Sequence, residues 1–503
     1  MLLKELWLEV VLMKKKIKKD CEFSSKEQEM LQIFFDELNK KILLSKKDTK
    51  LFNNDFMKAI NYYYNNGYEL SEIVKLLSPK KIGNFYSKKT QKWYGLDNAA
   101  KLYPLSMKKN WMAVFRLSIY ANEDIIPEIL QIALTYTIER FPIFATTVRR
   151  GFFWHYIEEI RIRFGIAQEN NIPVRSINIS NLTRKTFRVL YYKNRISVEF
   201  FHVLTDGTGG MTFLKTLAAE YFRLLGKNIP NTNGILSLQE HPQIEEAAND
   251  FIKGTKYKSK FTNDKPAVQI DGKLSKIKPC QVIHFDFSSE EIMKYCKTKD
   301  ITVTVLMLAL IITACNYSTS KKGDIKVQVP VNMRKYYDSN TLRNFSLYVL
   351  ICVSKDNCSD FDLLLKNIKE QLNTKTTKEA LSKNMSWANN TVEKTSFIPL
   401  FIKKTLVGLG NKYLGNMAFT TVLSNLGNID MPNELRDEID KMDFVLGTTL
   451  INRVLFSLVT CNNTMTLSIS KFTLNSALEN NLYNMISSLG FKVTVSGSDV
   501  YEN

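Results

Sequence analysis

One histidine of this chain stands in a setting that favours proton-transfer chemistry. His202 follows the apolar pair Phe200-Phe201, and Asp206-Gly207 begins four residues after it. An imidazole titrates near neutral pH, so a positioned histidine can take a proton from a reacting group. Few residues could serve as a histidine base, because the chain has four histidines: His155, His202, His241 and His284.

The residues before His202 predict a β-hairpin. Residues 185–192 and 195–202 alternate as two strands, and Lys193-Asn194 is the tight turn between them. Since side chains alternate along a strand, His202 shares the apolar face with Phe200. This places the imidazole at the end of a strand, on the face that packs against other elements.

A glycine-rich turn and a helix are predicted to follow. Thr208-Gly209-Gly210 is interpreted as a flexible turn, and apolar residues recur at helical spacing over 211–225. A strand, a turn and a helix in this order present a side chain at a sheet edge beside a cleft. The alternative is that His202 is a hydrogen-bonded core residue, as a lone histidine on an apolar face usually is.

Several further segments match, in order, those of a known superfamily. The His202 stretch has the H-x-x-x-D-G pattern of acyltransferases that use one histidine as general base. The other matching segments are Trp93 to Pro104, Arg140-Phe141-Pro142-Ile143-Phe144 with Gly151, Ile301 to Leu306, Val329 to Arg334, Arg343-Asn344-Phe345-Ser346, and Ser424-Asn425-Leu426-Gly427. The chain thus resembles the superfamily of chloramphenicol acetyltransferase, nonribosomal peptide synthetase condensation domains, plant BAHD acyltransferases and wax ester synthases. Within it, the segment from Trp93 is similar to that of bacterial alcohol acetyltransferase-like proteins.

The resemblance implies roles for individual residues. His202 would be the general base, and Asp206 would point away from the substrate and pair with Arg334, which supports the fold. Gly207 permits a close approach of the backbone beside the site. Ser424 and Asn425 are candidates for oxyanion donors or channel residues, and the alternative is a polar turn between strands. The family has glycine where this chain has Arg343, so that turn is expected to differ.

The reaction that this resemblance implies is transfer of an acyl group, such as acetyl, from a coenzyme A thioester to an alcohol hydroxyl. No acyl-enzyme is expected, and no G-x-S-x-G nucleophile elbow is present. Coenzyme A is a cosubstrate, and neither a cofactor nor a metal is expected. Three alternatives stay open: an amide-forming, condensation-like enzyme that uses carrier-protein thioesters, a non-catalytic binding member of the fold, and a basic nucleic-acid-binding protein. No adjacent carrier domain and no nucleic-acid motif is visible, and the intact H-x-x-x-D-G pattern weighs against the non-catalytic reading.

Composition bounds the cellular setting. The chain has 503 residues, 45% hydrophobic and 24% charged, which is ordinary for a soluble globular protein. Its net charge of +19 is compatible with binding to nucleic acid, an anionic membrane or a phosphorylated ligand. Dispersed lysines can also give such a charge without any binding function. Seven cysteines without a C-x-x-C pair favour reduced thiols and a cytoplasmic location. The apolar run 301–315 is too short to span a bilayer, so no transmembrane segment is expected.

The expected fold is α+β, with two chloramphenicol-acetyltransferase-like lobes of mixed sheets and helices that meet at a channel. Periodicity and composition divide the chain into four sections. They are a helical N-terminal appendage at 1–92, a first lobe at 93–227, a linker or crossover at 228–278, and a second lobe at 279–503. If the first section is only an appendage, a chain beginning near Ser87 should fold and keep its activity.

Overall fold

The structure, a computed structural model, describes residues 23–88, 91–107, 112–170, 172–177, 185–254, 257, 266–413, 418–447 and 453–500. The helices in these ranges are α1 (Ser25–Lys40), α2 (Lys46–Asn65), α3 (Leu70–Leu76), α4 (Tyr103–Ser106), α5 (Pro127–Arg140), α6 (Gly207–Leu224), α7 (Ser289–Thr298), α8 (Val303–Tyr317), α9 (Phe361–Lys375), α10 (Lys378–Lys394), α11 (Leu400–Tyr413), α12 (Asn433–Arg436) and α13 (Ala477–Ser488). The strands are β1 (Trp93–Gly95), β2 (Val114–Ala121), β3 (Thr146–Arg150), β4 (His155–Glu159), β5 (Ile166–Gln168), β6 (Phe187–Tyr192), β7 (Arg195–Phe201), β8 (Gln281–Ser288), β9 (Asp324–Asn332), β10 (Ser346–Ser354), β11 (Thr421–Asn428), β12 (Ile439–Leu446), β13 (Val454–Cys461), β14 (Thr464–Lys471) and β15 (Thr494–Gly497).

Two mixed sheets carry the two lobes. The first sheet has the order β12-β2-β7-β6-β5, and the second has the order β10-β9-β11-β13-β14-β8-β15. Most neighbours are antiparallel, but β5 runs parallel to β6, and β11 runs parallel to both β9 and β13. A small third sheet, β1-β4-β3, completes the first lobe. Mixed sheets with helices packed on them are the α+β layers that the sequence predicts.

The division of the chain at residue 279 does not match the sheets. Strand β12 lies within the section assigned to the second lobe, yet it pairs with β2 in the first sheet over the register Met442 to Ile119 and Leu446 to Phe115. Sequence periodicity marks a strand but not its partner, because sheet pairing is a long-range contact. The two lobes are therefore joined by an exchanged strand as well as by the crossover.

The N-terminal section is not an appendage in the part that is described, from residue 23 onward. Its apolar residues, among them Phe56 and Ile60, belong to one hydrophobic core with the first lobe. The hydroxyl of Tyr63 donates to the carbonyl of Leu224 at 2.6 Å, and Arg163 pairs with Asp55. The amphipathic pattern of α1 and α2 predicted helices, but it could not show which surface they cover.

The crossover between the lobes is built into both cores. Ile229 and Ile235 are buried in the first core, and Phe251 is buried in the second. The crossover also contains two 3₁₀ turns, Ile244–Ala247 and Asp250–Lys253.

The apolar run 301–315 forms α8, and all of its residues from 305 to 315 are buried in the second core. Within the described ranges, no single helix has the length and hydropathy needed to cross a membrane. The pair α7 and α8 meets that test only when the two are taken together across a bend of 92°. The six cysteines from Cys280 to Cys461 are free thiols, and Cys21 lies outside the described residues.

Candidate active site

His202 lies directly after β7, between the two lobes. The ring of Tyr103 stacks on the imidazole with 4.7 Å between centroids and 19° between planes. Phe115 meets it edge-on at 5.1 Å. The backbone N–H of His202 donates to the carbonyl of Ala113 at 2.8 Å, which ties the end of β7 to the segment before β2. These contacts fix the plane of the imidazole.

The side chain of Asn344 determines which imidazole nitrogen carries the proton. Its Nδ2 group donates to the carbonyl of His202 at 3.0 Å and to Oδ2 of Asp97 at 3.2 Å. Because both acceptors face the amide nitrogen, the amide oxygen faces Nδ1 of His202, at 2.9 Å. An amide oxygen can only accept, so Nδ1 of the neutral imidazole is the donor. The lone pair of the base is therefore on Nε2.

Burial lowers the pKa of His202 below its ordinary value of 6.5. Removal of water disfavours the charged imidazolium, while the carboxylate of Asp206 and the hydrogen bond to Asn344 act in the opposite direction. Since the net direction is downward, the imidazole is neutral at pH 7. A neutral imidazole with a free Nε2 is the form in which histidine acts as a base.

Asp206 joins the two lobes through hydrogen bonds to both of its carboxylate oxygens. It caps α6 through a bond from the N–H of Gly209 to Oδ1. The donors to Oδ2 come from the second lobe: Arg334 Nη1 at 2.8 Å, the N–H of Phe345 at 2.8 Å and Ser346 Oγ at 3.0 Å. Burial by itself would raise the pKa of Asp206, but Arg334 and these hydrogen bonds hold it below 3.8. The carboxylate is ionised, and both of its oxygens accept hydrogen bonds.

Arg334 organises the segment that carries Asn344. Besides Asp206, its guanidinium donates to the carbonyl of Thr341 at 2.9 Å and to that of Arg343 at 2.6 Å. One cation therefore fixes both the loop before β10 and the start of α6. The position of Asn344 against His202 depends on this connection.

Arg343, where the resembling family has glycine, is buried and holds a second connection. Its guanidinium donates to the carbonyl of Gly95 at 2.7 Å and to that of Ala247 at 3.2 Å, and it lies 3.6 Å from Asp97. Arg343 does not have a positive φ, so glycine is not required at this position. The arginine thereby ties the segment after β1 to the asparagine that contacts His202.

Gly207 and Gly209 begin α6, and the turn expected over 208–210 is helical instead. The cap by Asp206 makes the helix start four residues earlier than the apolar spacing indicates. A Cβ atom on Gly207 would come within 2.6 Å of the Leu426 side chain. Glycine thus permits the close approach that the sequence predicts, here between α6 and the end of β11.

One cavity reaches the imidazole, and a second cavity adjoins the first. His202, Asp206 and Gly207 line one of about 840 Å³, and a second of about 970 Å³ lies between α10 and the outer face of β9 and β10. The two share Gln328, Ser346 and Tyr348 as lining residues. At their boundary the hydroxyls of Tyr103 and Tyr348 are 3.3 Å apart. Two molecules of moderate size can therefore occupy adjoining spaces, one of which reaches the imidazole.

The structure brings Ser424 and Asn425 to the first cavity, opposite α6. Asn425 is engaged at both ends of its amide: Nδ2 donates to Thr304 Oγ1 at 3.0 Å, and Oδ1 accepts from the N–H of Gly427 at 2.7 Å. Ser424 lies on β11, in the part that pairs with β13. Of the two, the serine hydroxyl is better suited to turn toward a ligand.

Asn344, Asp97, Tyr103 and Tyr348 were not predicted as site residues. Three of them fall inside segments that match the superfamily, but their spacing from His202 gives no sign of contact. Asp97 and Asn344 are 247 residues apart and meet in space. Within the described ranges, no group of three or more His, Cys, Asp or Glu side chains is arranged to hold a metal.

Comparison with known proteins finds structures of similar fold, all at low sequence identity. No protein-family model matches the chain, and no curated protein matches it. Among solved structures, the chain is similar to the TRI3 trichothecene 15-O-acetyltransferase of Fusarium sporotrichioides, with a TM-score of 0.56 and 12% identity over 79% of this chain and 94% of that one.

Two other structures extend the comparison. TRI101 of F. sporotrichioides, crystallised with coenzyme A and T-2, has a TM-score of 0.55 and 10% identity over 80% of this chain and 99% of that one. The first condensation domain of the CDA synthetase has a TM-score of 0.52 and 11% identity over 80% of this chain and 96% of that one. At these identities the likeness shows the fold, and the two-lobed α+β architecture predicted from the sequence is confirmed.

Proposed function

We propose that this chain is an acyltransferase that moves an acyl group from a coenzyme A thioester to a hydroxyl group, with His202 as general base. The observation that carries the proposal is the hydrogen bond from Nδ1 of His202 to Asn344, which leaves Nε2 unprotonated. A structural neighbour, TRI101, was crystallised with coenzyme A and T-2, which supports a thioester donor and a second ligand in a protein of this fold.

The proposed reaction has one covalent exchange. Nε2 of His202 takes the hydroxyl proton while the acceptor oxygen attacks the thioester carbonyl. The tetrahedral intermediate then collapses, the C–S bond breaks, and the imidazolium returns its proton to the departing thiolate. No acyl-enzyme is needed, and Ser424 is the candidate donor to the oxyanion. Asp206 and Arg334 take no part in proton transfer, because their polar atoms are engaged with each other and with the loop before β10.

The two cavities give the two substrates separate approaches. The first cavity is also lined by Lys297 and Lys335, both exposed, and cations suit the phosphates of coenzyme A. The second cavity, across the Tyr103–Tyr348 pair, offers space for the acceptor. The resemblance to alcohol acetyltransferases in particular stays a prediction. An amine acceptor, as in condensation-like enzymes, is a second candidate, and the assay below includes amines for that reason.

The test is to incubate the purified chain with acetyl-CoA and a panel of alcohols and amines, and to follow thiol release and product mass. His202→Ala should lower turnover by about 10²- to 10⁴-fold, the usual contribution of general-base catalysis. His241→Ala is the matched control, because His241 is exposed and does not line either cavity. Near-normal turnover of folded His202→Ala on the true substrate would refute the mechanism.

A further inference from the structure

A group of apolar side chains projects into solvent at one edge of the molecule. Phe152 and Phe397 are each 71% exposed, and Phe401 is 70% exposed. We call the following residues the phenylalanine patch: Phe152, Phe153, Phe397, Phe401, Ile402 and Leu406. Single exposed apolar residues are common, but several large ones together mark an interaction surface.

Specific contacts hold the two halves of the phenylalanine patch together. One half is the tip of the β3–β4 hairpin, and the other is the start of α11. The N–H of Leu400 donates to the carbonyl of Phe152 at 2.9 Å, and Nζ of Lys403 donates to the carbonyl of Phe153 at 2.8 Å. Lys403 also lies over the ring of Trp154, 3.4 Å from its centroid. The exposed rings therefore stand on a fixed base.

Cations surround the patch. The stretches 149–154 and 393–406 contain five Lys or Arg residues and one acidic residue, Glu393. Arg149 pairs with Glu158 and Lys403 is buried, which leaves Arg150, Lys394 and Lys404 as the cations nearest the rings. Burial lowers the pKa of Lys404, and so does the neighbouring Arg150. Burial, together with the charges of Lys404 and Arg150, lowers the pKa of His155, at the start of β4, to about 4. The pattern indicates a local excess of positive charge beneath the rings.

We propose that the phenylalanine patch docks onto the surface of an anionic lipid bilayer. Aromatic rings at a loop tip and a helix start can enter the headgroup region without a matching pocket, and the lysines and arginines around them attract anionic headgroups. A second copy of the chain is a poor partner, since the same cations would face each other across a self-associated patch. The net charge of +19 acts in the same direction as the patch.

Flotation of the full chain with vesicles tests this docking without measuring turnover. We expect binding to vesicles of phosphatidylcholine with phosphatidylglycerol, weaker binding to phosphatidylcholine alone, and release at high salt. Arg150→Glu with Lys404→Glu should weaken binding by about fivefold or more for each residue changed. Phe152→Ser with Phe401→Ser should weaken binding to both kinds of vesicle.

Matched controls carry the same changes on other exposed surfaces. Ile244→Ser with Leu363→Ser replaces side chains that are 83% and 64% exposed, and Lys322→Glu with Lys366→Glu makes the same change of charge. These variants should bind as the unchanged chain does. Docking is refuted if the chain does not float with anionic vesicles, or if patch and control variants bind equally. It is also refuted if the patch variants abolish a dimer in sedimentation while vesicle binding is absent.

Discussion

At the scale of single residues, Asn344 decides what His202 can do. Its amide nitrogen is committed to the carbonyl of His202 and to Asp97, so its oxygen must accept from Nδ1. Without this acceptor the imidazole could carry its proton on either nitrogen, and one tautomer has no lone pair for the substrate. Asn344 is thus a positioning residue that acts through the base.

We expect Asn344→Ala to lower kcat by about 10²-fold, with a smaller change in KM, because the base loses its orientation and not its binding site. Asn367→Ala, on the exposed face of α9, is the control and should leave kcat unchanged. Steady-state kinetics and thermal melts of both variants measure the effect. Equal kcat in the two variants would contradict the role given to Asn344.

The depressed pKa of His202 predicts the pH dependence of the reaction. The neutral imidazole is the active form, and its pKa lies below 6.5. Activity should therefore persist as pH falls through 6.5, where an exposed histidine would be half protonated, and decline only at more acid pH. The dependence of kcat/KM on pH measures this. An acid limb at or above pH 7 would contradict the burial argument.

Asp206 and Arg334 are expected to matter for stability first. Removal of either partner leaves a buried charge, which costs about 3–5 kcal/mol. Asp300→Asn is the control, since that carboxylate is 97% exposed in its pair with Lys369. Because the pKa of Asp206 is held below 3.8, its contribution is present above that value and is lost as pH falls through the lowered pKa. Unchanged melting of Asp206→Asn with abolished turnover would instead indicate a direct chemical role.

At the scale of elements, the start of α6 sets the distance between the lobes. A Cβ atom on Gly209 would collide with the backbone carbonyl of Leu342, whereas one on Gly207 would meet only the end of the Leu426 side chain. A side chain can rotate away, but the carbonyl of Leu342 lies on the segment that positions Asn344. A substitution by alanine should therefore be tolerated better at Gly207 than at Gly209.

We expect Gly209→Ala to destabilise the fold by about 1–3 kcal/mol, the usual effect of overpacking, and to lower turnover as well. Gly207→Ala should cost less and serves as the matched control. Thermal melts and kcat of the two variants decide the matter. If Gly207→Ala proves the more damaging, the contact with Leu342 is not what fixes the loop.

Local sequence patterns predicted many elements correctly because those patterns are local. The hairpin of β6 and β7 follows from alternation, and most of α6 follows from the helical spacing of apolar residues over 211–225. Helices α10 and α11 were not predicted. Polar residues weaken the periodic signal of α10, whereas in α11 the apolar residues Phe401, Ile402 and Leu406 face solvent and not a core. The partner of β12 and the early start of α6 depend on a distant strand and on a side-chain cap, which periodicity does not register.

At the scale of the whole molecule, the candidate site is an assembly of distant segments. Asp97, His202 and Asn344 come from three parts of the chain, and only His202 and Asp206 lie within one short motif. The sequence could nominate the base and, by resemblance, the Asp206–Arg334 pair that the structure places at 2.8 Å. It could not nominate Asn344 as the partner of Nδ1, because no spacing rule links residues 142 positions apart.

The packing of the N-terminal helices on the first lobe changes the result expected when the N-terminal section is removed. The sequence suggested that a chain beginning near Ser87 would fold, but α1 and α2 share the first core, and Phe56 packs against Tyr136 of α5 with 6.3 Å between ring centroids. Deletion would expose buried apolar residues on both sides of this contact and would leave Arg163 without Asp55. We therefore expect a chain that begins at Ser87 to be insoluble or to lack a cooperative melt, because each exposed large apolar side chain costs about 1.5–3 kcal/mol.

A chain that begins at Glu22 keeps Phe23, the capping box of α1 and every described contact, so it is the matched control and should melt as the full chain does. Expression, circular dichroism melts and turnover compare the two truncations. His202 and its partners are retained in both, so a difference between them reports the packing of α1 and α2 and not the chemistry. A soluble, active chain from Ser87 would show that the first lobe closes its core without these helices.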